Sequence, residues 1–410
     1  MEFRPILTTL RRHKTAAALI VFEIALSCAI ICNAVFLIGN RIEMMNRPSG
    51  LAENELVRVQ LTGINNNDDA MAITQTDLAA LRALPGVKAA ATTNQVTFGS
   101  SSWNSGISLK SGQSFPNLSA TTYFGGEQLL ETMGVNVIAG RGFRADEFVN
   151  FDDFQKPDSK AAIPAVIVSK VVADKLFPGE NAVGKSIYSW GDEPMRIVGV
   201  VEHLARPNNR GGAAEYEYSV IFPLRVSYET GGNYLLRVDP DRREEILKAA
   251  VATLEKSGPT RIMLSDQTKT LEQMRNEFYQ QDRSMAWLLV AVCVALLVVT
   301  ALGIVGLASF WVAQRTKQIG VRRALGATRG QVLRYFQTEN FLLATLGIVI
   351  GMVLAYGINQ VLMSHYELPR LPALYLPLGA IALWALGQLS VLGPARRAAA
   401  VPPAVATRSI

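Results

Sequence analysis

An eight-residue segment that begins at Gly179 has the residue types and spacing of a phosphate-binding loop. Gly179, Gly184, Lys185 and Ser186 fit the pattern G-x-x-x-x-G-K-[ST], in which backbone N–H groups and the lysine hold nucleotide phosphates. Such a loop follows a buried strand and opens a helix. Here the sequence predicts the reverse order, with a helix over 170–177 before the segment and a strand over 187–190 after it. We therefore interpret the segment as a turn and expect no nucleotide site.

The histidines and cysteines form no catalytic or metal-binding pattern. The histidines lie in three separate segments without metal-ligand spacing, and no nucleophile-elbow motif is present. Cys28 and Cys32 share a helix face at i, i+4, which favours apolar packing over a metal or redox role. These observations predict a non-catalytic chain with no cofactor, no metal and no disulfide. The histidines of the chain are His13, His203 and His365, and its cysteines are Cys28, Cys32 and Cys293.

Glu23 is the one charged residue inside an otherwise apolar stretch over 16–40. An ionisable residue within a membrane helix is costly and indicates function by default. Glu23 lies about two turns from the predicted inner surface, since each turn holds 3.6 residues. We therefore favour a structural role, by snorkelling or by pairing with a basic neighbour, and keep a functional role within the membrane as the alternative.

Four apolar stretches carry most of the hydrophobic excess of this 410-residue chain, in which 49% of the residues are hydrophobic. Roughly 20 apolar residues in a helix cross the hydrocarbon core of a bilayer. Each stretch is long enough, so the sequence predicts four transmembrane helices with the lipid bilayer as their surroundings. The predicted spans cover 16–40, 285–312, 341–363 and 373–393.

The distribution of charge orients these spans. The segments 1–15, 313–340 and 394–410 carry net charges of +3, +5 and +3, whereas 41–284 carries −4. Basic residues that flank membrane helices stay in the cytoplasm. We therefore place both termini inside and the large segment between the first two spans outside. Because the positive charge lies beside the bilayer, we expect no nucleic-acid partner.

The outer segment is predicted to be an α+β extracytoplasmic domain. Two strand–helix–strand patterns, over 56–95 and 234–264, have similar size, which indicates a ferredoxin-like split α/β subdomain. This subdomain comprises 49–97 and 233–267, and a β-rich inserted subdomain comprises 98–232. From residue 268 a helical pattern without Pro or Gly leads into the second span, so we expect a helical stalk that continues through the membrane as one helix.

The remaining segments complete a membrane α-helical fold class. The region 1–48 is predicted to hold an amphipathic helix on the inner surface, followed by an uncleaved first span. The region 268–410 holds the stalk, the other spans, the tail and a short inner helix over 318–325. Gly326 is expected to end that helix, and Thr328 and Gln331 have the spacing of a capping box. In the third span, Gly347 and Gly351 allow close helix packing, and we considered a dimer contact there.

Several segments resemble the FtsX/MacB-type ABC permeases. Residues 315–328, RTKQIGVRRALGAT, resemble the cytoplasmic coupling segment of that family, although Gln318 stands where a glutamate is common. The tail 394–403, PARRAAAVPP, resembles the family's C-terminal ending. Residues 133–143 and 168–185 are similar to the MacB-type periplasmic domain, and the latter range includes the segment that mimics a phosphate-binding loop. The resemblance covers nearly the whole chain.

The resemblance implies a permease subunit in a bacterial inner membrane, with its large domain in the periplasm. Separate soluble ATPase subunits would bind ATP, and a second permease, identical or different, would complete the transporter. A membrane-fusion adaptor and an outer-membrane duct are the further partners implied. In such mechanotransmission, ATP hydrolysis moves the periplasmic domain to export peptide, antibiotic or other periplasmic cargo. The residues expected to couple to the ATPase are Gln318, Ile319, Gly320, Arg322, Arg323, Ala324, Leu325 and Gly326.

Three alternatives remain open from the sequence. The chain could act as a regulatory mechanotransmitter that activates a cell-wall hydrolase, or as a lipoprotein-releasing permease. It could also be a membrane-anchored sensor that has no ATPase partner. The protein that binds the outer domain, and the presence of an ATPase in the complex, distinguish these functions.

Overall fold

A computed structural model of the chain describes residues 14–64, 69–100, 102–156, 159, 161–208, 215–257, 261–366, 370–372 and 374–402. The amphipathic helix predicted before residue 14 lies outside these residues. The chain divides into an outer unit, Asn46–Gln280, and a membrane unit formed by the segments on either side of it.

The helices and strands of the described residues are numbered in chain order. The helices are α1 (Lys14–Met45), α2 (Ala70–Arg82), α3 (Leu129–Met133), α4 (Phe151–Phe154), α5 (Lys170–Leu176), α6 (Arg243–Lys256), α7 (Leu271–Phe278), α8 (Gln280–Gln314), α9 (Thr316–Ala324), α10 (Arg329–Tyr366) and α11 (Tyr375–Ala399). The strands are β1 (Leu56–Gly63), β2 (Val87–Thr93), β3 (Asn104–Ile107), β4 (Leu118–Phe124), β5 (Val137–Gly140), β6 (Val149–Asn150), β7 (Ala165–Ser169), β8 (Ser186–Ile187), β9 (Met195–Val201), β10 (Ser219–Phe222), β11 (Leu224–Arg225), β12 (Asn233–Val238), β13 (Arg261–Met263) and β14 (Lys269–Thr270).

The first sheet of the outer unit has the strand order β13-β1-β12-β2, with β14 added beside β1. Its pairs are antiparallel, and α2 and α6 connect the strands of the two β-α-β units. This is the ferredoxin-like arrangement that the sequence predicts. Alternate residues of β1, such as Val57, Val59 and Leu61, lie in a core with apolar residues of both helices, because successive strand residues point to opposite faces.

The chain between β2 and β12 forms a second, larger sheet. Its strand order is β3-β4-β10-β7-β9-β5, with β8 beside β9. The sheet is mixed: β4 is parallel to β10, and β7 is parallel to β9. All five residues of β7 are buried, as expected for a central strand covered on both faces. The α+β fold class, with a β-rich insertion, is confirmed.

The helical stalk differs from the predicted single helix. A capping box between Thr270 and Gln273 begins α7, which ends before Tyr279, and α8 begins at Gln280. The Tyr279 side chain is buried and its ring lies 6.0 Å from that of Phe98. No Pro or Gly marks this position, so a break that coincides with tertiary packing of an aromatic ring was not predictable from local sequence signals.

Four helices of the membrane unit, α1, α8, α10 and α11, are long and apolar enough to cross a membrane. The helices α1, α8 and α10 extend beyond the predicted apolar stretches at both ends, whereas α11 begins two residues later than predicted and extends beyond its stretch at the C-terminal end. Most of the apolar part of α1 is buried within the unit, whereas that of α8 is largely exposed. The α1 helix therefore lies at the centre of this unit, packed against α10 and α11.

Candidate functional site

Specific hydrogen bonds end the inner helix α9 and begin the helix that follows it. Gly326 has φ +98°, and its N–H donates to the carbonyl of Arg323 while that of Ala327 donates to the carbonyl of Arg322. This pair of bonds is the Schellman motif, which requires a left-handed residue that glycine adopts without strain. The following helix begins with the predicted capping box, in which Thr328 and Gln331 each accept the other's backbone N–H. The loop is therefore a well-defined structure.

The eight predicted coupling residues fall into a buried or half-buried group and an exposed group. Ile319 and Gly320 are buried against the membrane unit, and Arg323 is half-buried. The other residues are exposed to solvent, among them Leu325, which exposes 83% of its surface. Val321, which was not among the predicted residues, is also exposed. Only the exposed group is available for contact with another protein while α9 holds this position. That group consists of Gln318, Val321, Arg322, Ala324, Leu325 and Gly326.

A buried ion pair connects the start of this loop to α10. The Arg315 Nη1 lies 3.0 Å from Glu339 Oε2 and 3.1 Å from Oε1, and the two side chains are 9% and 1% exposed. The Arg315 guanidinium also lies over the Trp311 ring, 5.5 Å from its centroid. The pair joins the end of α8 to α10, and sequence reasoning missed it because the partners are 24 residues apart.

Arg323 connects α9 to the end of the last span. Its Nη1 donates to the carbonyl oxygens of Ala399 at 3.0 Å and Val401 at 2.7 Å. The last carbonyls of a helix have no partner within the helix and carry the negative end of its dipole, so a cation there is favourable. Arg323 therefore links α9 directly to the C-terminal end of α11.

A small cleft of about 150 Å³ lies between α9 and the first turns of α10. Gln318, Arg322 and Tyr335 line it with other residues of these helices, and the Arg322 guanidinium lies 5.3 Å from the centroid of the Tyr335 ring. The side-chain donors and the aromatic ring of this cleft suit contact with a protruding side chain of another protein.

Glu23 lies beside α8 within the membrane unit. A Cβ placed on Gly303 would be 2.5 Å from Glu23 Oε1, so the absence of a side chain there makes room for the carboxylate. One turn further along, Ser27 and Thr300 share a hydrogen bond of 2.8 Å. In the part of the chain that the structure describes, Glu23 forms no ion pair with a basic residue. Among the described residues, pairing with a basic neighbour therefore does not account for the presence of the Glu23 carboxylate in this helix.

Gly347 and Gly351 bring α10 into contact with α1. A Cβ on Gly347 would be 2.9 Å from the Cβ of Ile24, and one on Gly351 would be 2.5 Å from the Cβ of Cys28. The close helix packing that the sequence suggested occurs within this chain. This face of α10 is therefore covered by α1 and does not form the dimer contact that we considered.

The segment that mimics a phosphate-binding loop is a turn between α5 and β8. Gly179 and Gly184 have φ values of +74° and +90°, and the Lys185 ammonium lies 4.5 Å from the centroid of the Phe177 ring and pairs with Glu180. The helix precedes the motif and a strand follows it, as predicted. The motif follows the C-terminal end of α5 and leads into a strand, whereas a phosphate-binding loop leads into the N-terminus of a helix.

Two protein families match the chain. Residues 18–254 match the MacB-like periplasmic core domain, and residues 290–403 match the FtsX-like permease C-terminal domain. The first match includes most of α1 and most of the outer unit, and the second includes α9, α10 and α11.

The similar curated proteins include exporters and permeases. The macrolide export ATP-binding/permease protein MacB of Chromobacterium violaceum is 26% identical over 287 residues, which cover 68% of this chain and 42% of that protein. The uncharacterised ABC transporter permease YvrN of Bacillus subtilis is 27% identical over 265 residues, covering 61% of this chain and 63% of YvrN. The chain therefore spans about half the length of the curated relatives it matches.

Two solved structures are similar to part of the chain. The extracellular domain of the noncanonic ABC-type transporter YknZ from Gram-positive bacteria has a TM-score of 0.31 and 15% identity, covering 51% of this chain and 100% of that one. The periplasmic region of MacB from Actinobacillus actinomycetemcomitans has a TM-score of 0.33 and 14% identity, covering 57% and 97%.

Proposed function

This chain belongs to the family of permeases that combine a MacB-like periplasmic core domain with an FtsX-like membrane domain, and from that premise we propose that it works by mechanotransmission. As an ABC transporter permease, it would couple ATP hydrolysis by separate ATPase subunits to movement of its outer domain. The chain itself would bind no nucleotide. The similarity to macrolide export proteins supports a periplasmic cargo such as a peptide or an antibiotic.

The exposed apolar end of α9 is the observation that carries this proposal. Leu325 and Val321 expose 83% and 50% of their surfaces. Arg322, which is also exposed, lies between them in the sequence. The buried core of a protein interface is more apolar than its rim, and arginine is enriched in interfaces. An ATPase subunit that covers this end would bind mainly through Leu325.

The contacts behind α9 supply a route for movement. Arg315 pairs with Glu339 of α10, and Arg323 holds the end of α11. Packed elements joined by buried polar contacts move together because each contact has few alternative arrangements. A displacement of α9 by the ATPase would therefore shift both spans.

The outer end of the membrane unit has its own connection between spans. Arg41 near the end of α1 forms an ion pair with Asp282 at the start of α8. These two helices lead directly into the first and last residues of the outer unit. We propose that movement of this pair of helices reaches the outer domain along the chain.

The proposed assembly lies in a bacterial inner membrane, with both termini in the cytoplasm and the outer domain in the periplasm. The three basic segments support this orientation. A second permease would complete the transporter, and an adaptor with an outer-membrane duct would carry the cargo away. The family match supports these partners.

Isolation of the tagged chain from its native membranes tests the proposal. We expect ATP hydrolysis in the purified sample, and we expect Leu325→Asp to remove it together with the ATPase subunit, because a carboxylate cannot replace the apolar contact. Leu325→Met keeps an apolar side chain of similar size and serves as the matched control. Retention of the ATPase by Leu325→Asp would contradict the proposal.

The identity of the protein bound to the outer domain tests the export function separately. An adaptor or a small molecule is the expected finding for an exporter. A cell-wall hydrolase would instead assign the chain to regulatory mechanotransmission, with the same coupling through α9 and no cargo.

A further inference from the structure

We propose that an aromatic pocket in the inserted subdomain binds an uncharged ligand that carries a planar ring flanked by amide or hydroxyl groups. The pocket has a volume of about 470 Å³ and lies at the β3 edge of the larger sheet. Ligand pockets in proteins typically enclose about 300–1,000 Å³ and are lined by aromatic side chains with a few polar groups. No step of the coupling mechanism uses this pocket, so it constitutes a separate site.

Five aromatic rings from distant parts of the chain form the walls. Trp103 and Trp190 expose 41% of their surfaces, whereas Phe124 and Phe151 are buried behind them. The ring centroids of Trp103 and Phe124 are 5.9 Å apart at 89°, and those of Phe124 and Trp190 are 5.7 Å apart at 74°. Phe154 stands beside Trp190 at 5.8 Å. Trp190 also packs on Phe222, with ring centroids 4.6 Å apart at 43°. The exposed surface of the two tryptophans is available to stack on a further ring.

Hydrogen bonds hold the two exposed tryptophans in place. The Gln95 side chain accepts the backbone N–H of Trp103 at 2.8 Å and donates to its carbonyl at 3.4 Å. The Trp190 indole N–H donates to Ser105 Oγ at 2.5 Å. A wall that is already ordered loses little conformational entropy when a ligand binds, which distinguishes this pocket from a loose cluster of surface rings.

The polar atoms at the pocket define the rest of the ligand. Ser105 and Gln155 contribute a hydroxyl and an amide, whereas the Asn104 amide is already hydrogen-bonded to Ser102, Thr121 and Arg206. The described lining contains no Lys, Arg, Asp or Glu. A charged group would be desolvated there without a compensating charge, which is unfavourable. An uncharged ring that bears amide groups can stack on the aromatic walls and form hydrogen bonds with the polar groups of the pocket. An aromatic residue of a peptide and a small ring compound share this chemistry.

Saturation-transfer NMR on the full chain in lipid nanodiscs tests the site, with N-acetyl-tryptophanamide as the probe. Trp190→Ala removes one wall, and we expect binding about three- to tenfold weaker because aromatic contacts each contribute modestly. Gln155→Trp places a ring in the mouth of the pocket and should prevent the probe from binding. Because Gln155 is exposed, we expect this variant to fold, so it tests the site even if Trp190→Ala disturbs folding. Gln113→Trp, the same substitution outside the lining, and Trp287→Ala in α8 are the matched controls and should leave binding unchanged.

The outcomes decide the proposal without an ATPase, so a negative result leaves the permease function standing. Weaker binding to Trp190→Ala, loss of the signal with Gln155→Trp and unchanged binding to both controls support the site. Equal signal in all variants would show partition of the probe into lipid and would overturn the proposal. Tighter binding of a blocked Gly-Trp-Gly peptide than of the amide would assign the site to peptides, and equal binding would assign it to small ring compounds.

Discussion

Arg315 and Glu339 form the buried ion pair nearest to α9, and its contribution depends on both partners being present. The guanidinium and carboxylate lie 3.0 Å apart in a site with almost no solvent. Removing one partner of a buried pair leaves an uncompensated charge, whereas replacing both by apolar residues is often nearly neutral.

We expect Arg315→Met to lower the free energy of unfolding of the membrane unit by about 3–5 kcal/mol, because Glu339 would lose its cation. The double variant with Glu339→Met should recover most of this loss. Thermal unfolding of the four proteins of this cycle in detergent provides the measurement. A double variant less stable than Arg315→Met alone would show that the pair does not behave as one unit.

A second ion pair, between Glu147 and Arg141 in the outer unit, makes the stability of the protein depend on pH. The hydrogen bonds from the Arg141 side chain, supported by the Arg144 backbone N–H, lower the pKa of this carboxyl below its ordinary value of 4.5. A carboxyl whose pKa is lower in the folded state stabilises the protein above the unfolded pKa, and this contribution is lost as the pH falls through the folded pKa.

Glu147→Gln should therefore reduce the loss of thermal stability of the outer unit below about pH 4.5. At pH 7 the cost should be about 1 kcal/mol or less, since partly exposed pairs contribute little. Thermal unfolding followed at pH 3 to 7 measures both effects. Glu193→Gln, at an exposed carboxylate for which the described residues show no ion pair, is the control. Parallel pH profiles for Glu147→Gln and the unsubstituted chain would contradict the assignment.

At the scale of elements, the contact between α1 and α10 depends on the small size of Gly351. A Cβ there would be 2.5 Å from the Cβ of Cys28, a distance at which the helices must separate, whereas a Cβ on Gly357 would meet no atom within 4 Å. Both glycines lie in α10, so their effects on helix propensity are similar.

Gly351→Ala should lower the thermal stability of the membrane unit, because overpacking costs about 1–3 kcal/mol. Gly357→Ala should be neutral or slightly stabilising, since alanine favours helix over glycine by about 1 kcal/mol. Unfolding temperatures in the same detergent compare the two. Equal effects of both substitutions would show that α1 and α10 are not in close contact at Gly351.

Elements with local signals were predictable from the sequence. The four spans, the Gly326 stop and the Thr328 capping box each depend on residues a few positions apart. The break at Tyr279, the Arg315–Glu339 pair and the aromatic pocket were not predictable, because they form from residues brought together only by folding. Trp103, Phe151 and Trp190, for example, come from three separate segments of the inserted subdomain.

At the scale of the whole molecule, the central claim is that movement of α9 reaches the outer unit. A substitution at Arg323 separates binding of the ATPase from transmission of movement. Arg323 contacts the carbonyls of Ala399 and Val401, whereas the proposed contact with the ATPase is made by Leu325. Arg323→Ala should retain the ATPase subunit and ATP hydrolysis but weaken the link to α11.

Hydrogen–deuterium exchange of the complex isolated from native membranes, with and without ATP and vanadate, tests this claim most directly. We predict that nucleotide changes the exchange of residues 46–280 in the unsubstituted chain. Arg323→Ala should reduce that change at undiminished ATP hydrolysis, and Leu325→Met should leave it intact. Exchange of residues 46–280 that is independent of nucleotide, in a complex that hydrolyses ATP, would contradict the claim.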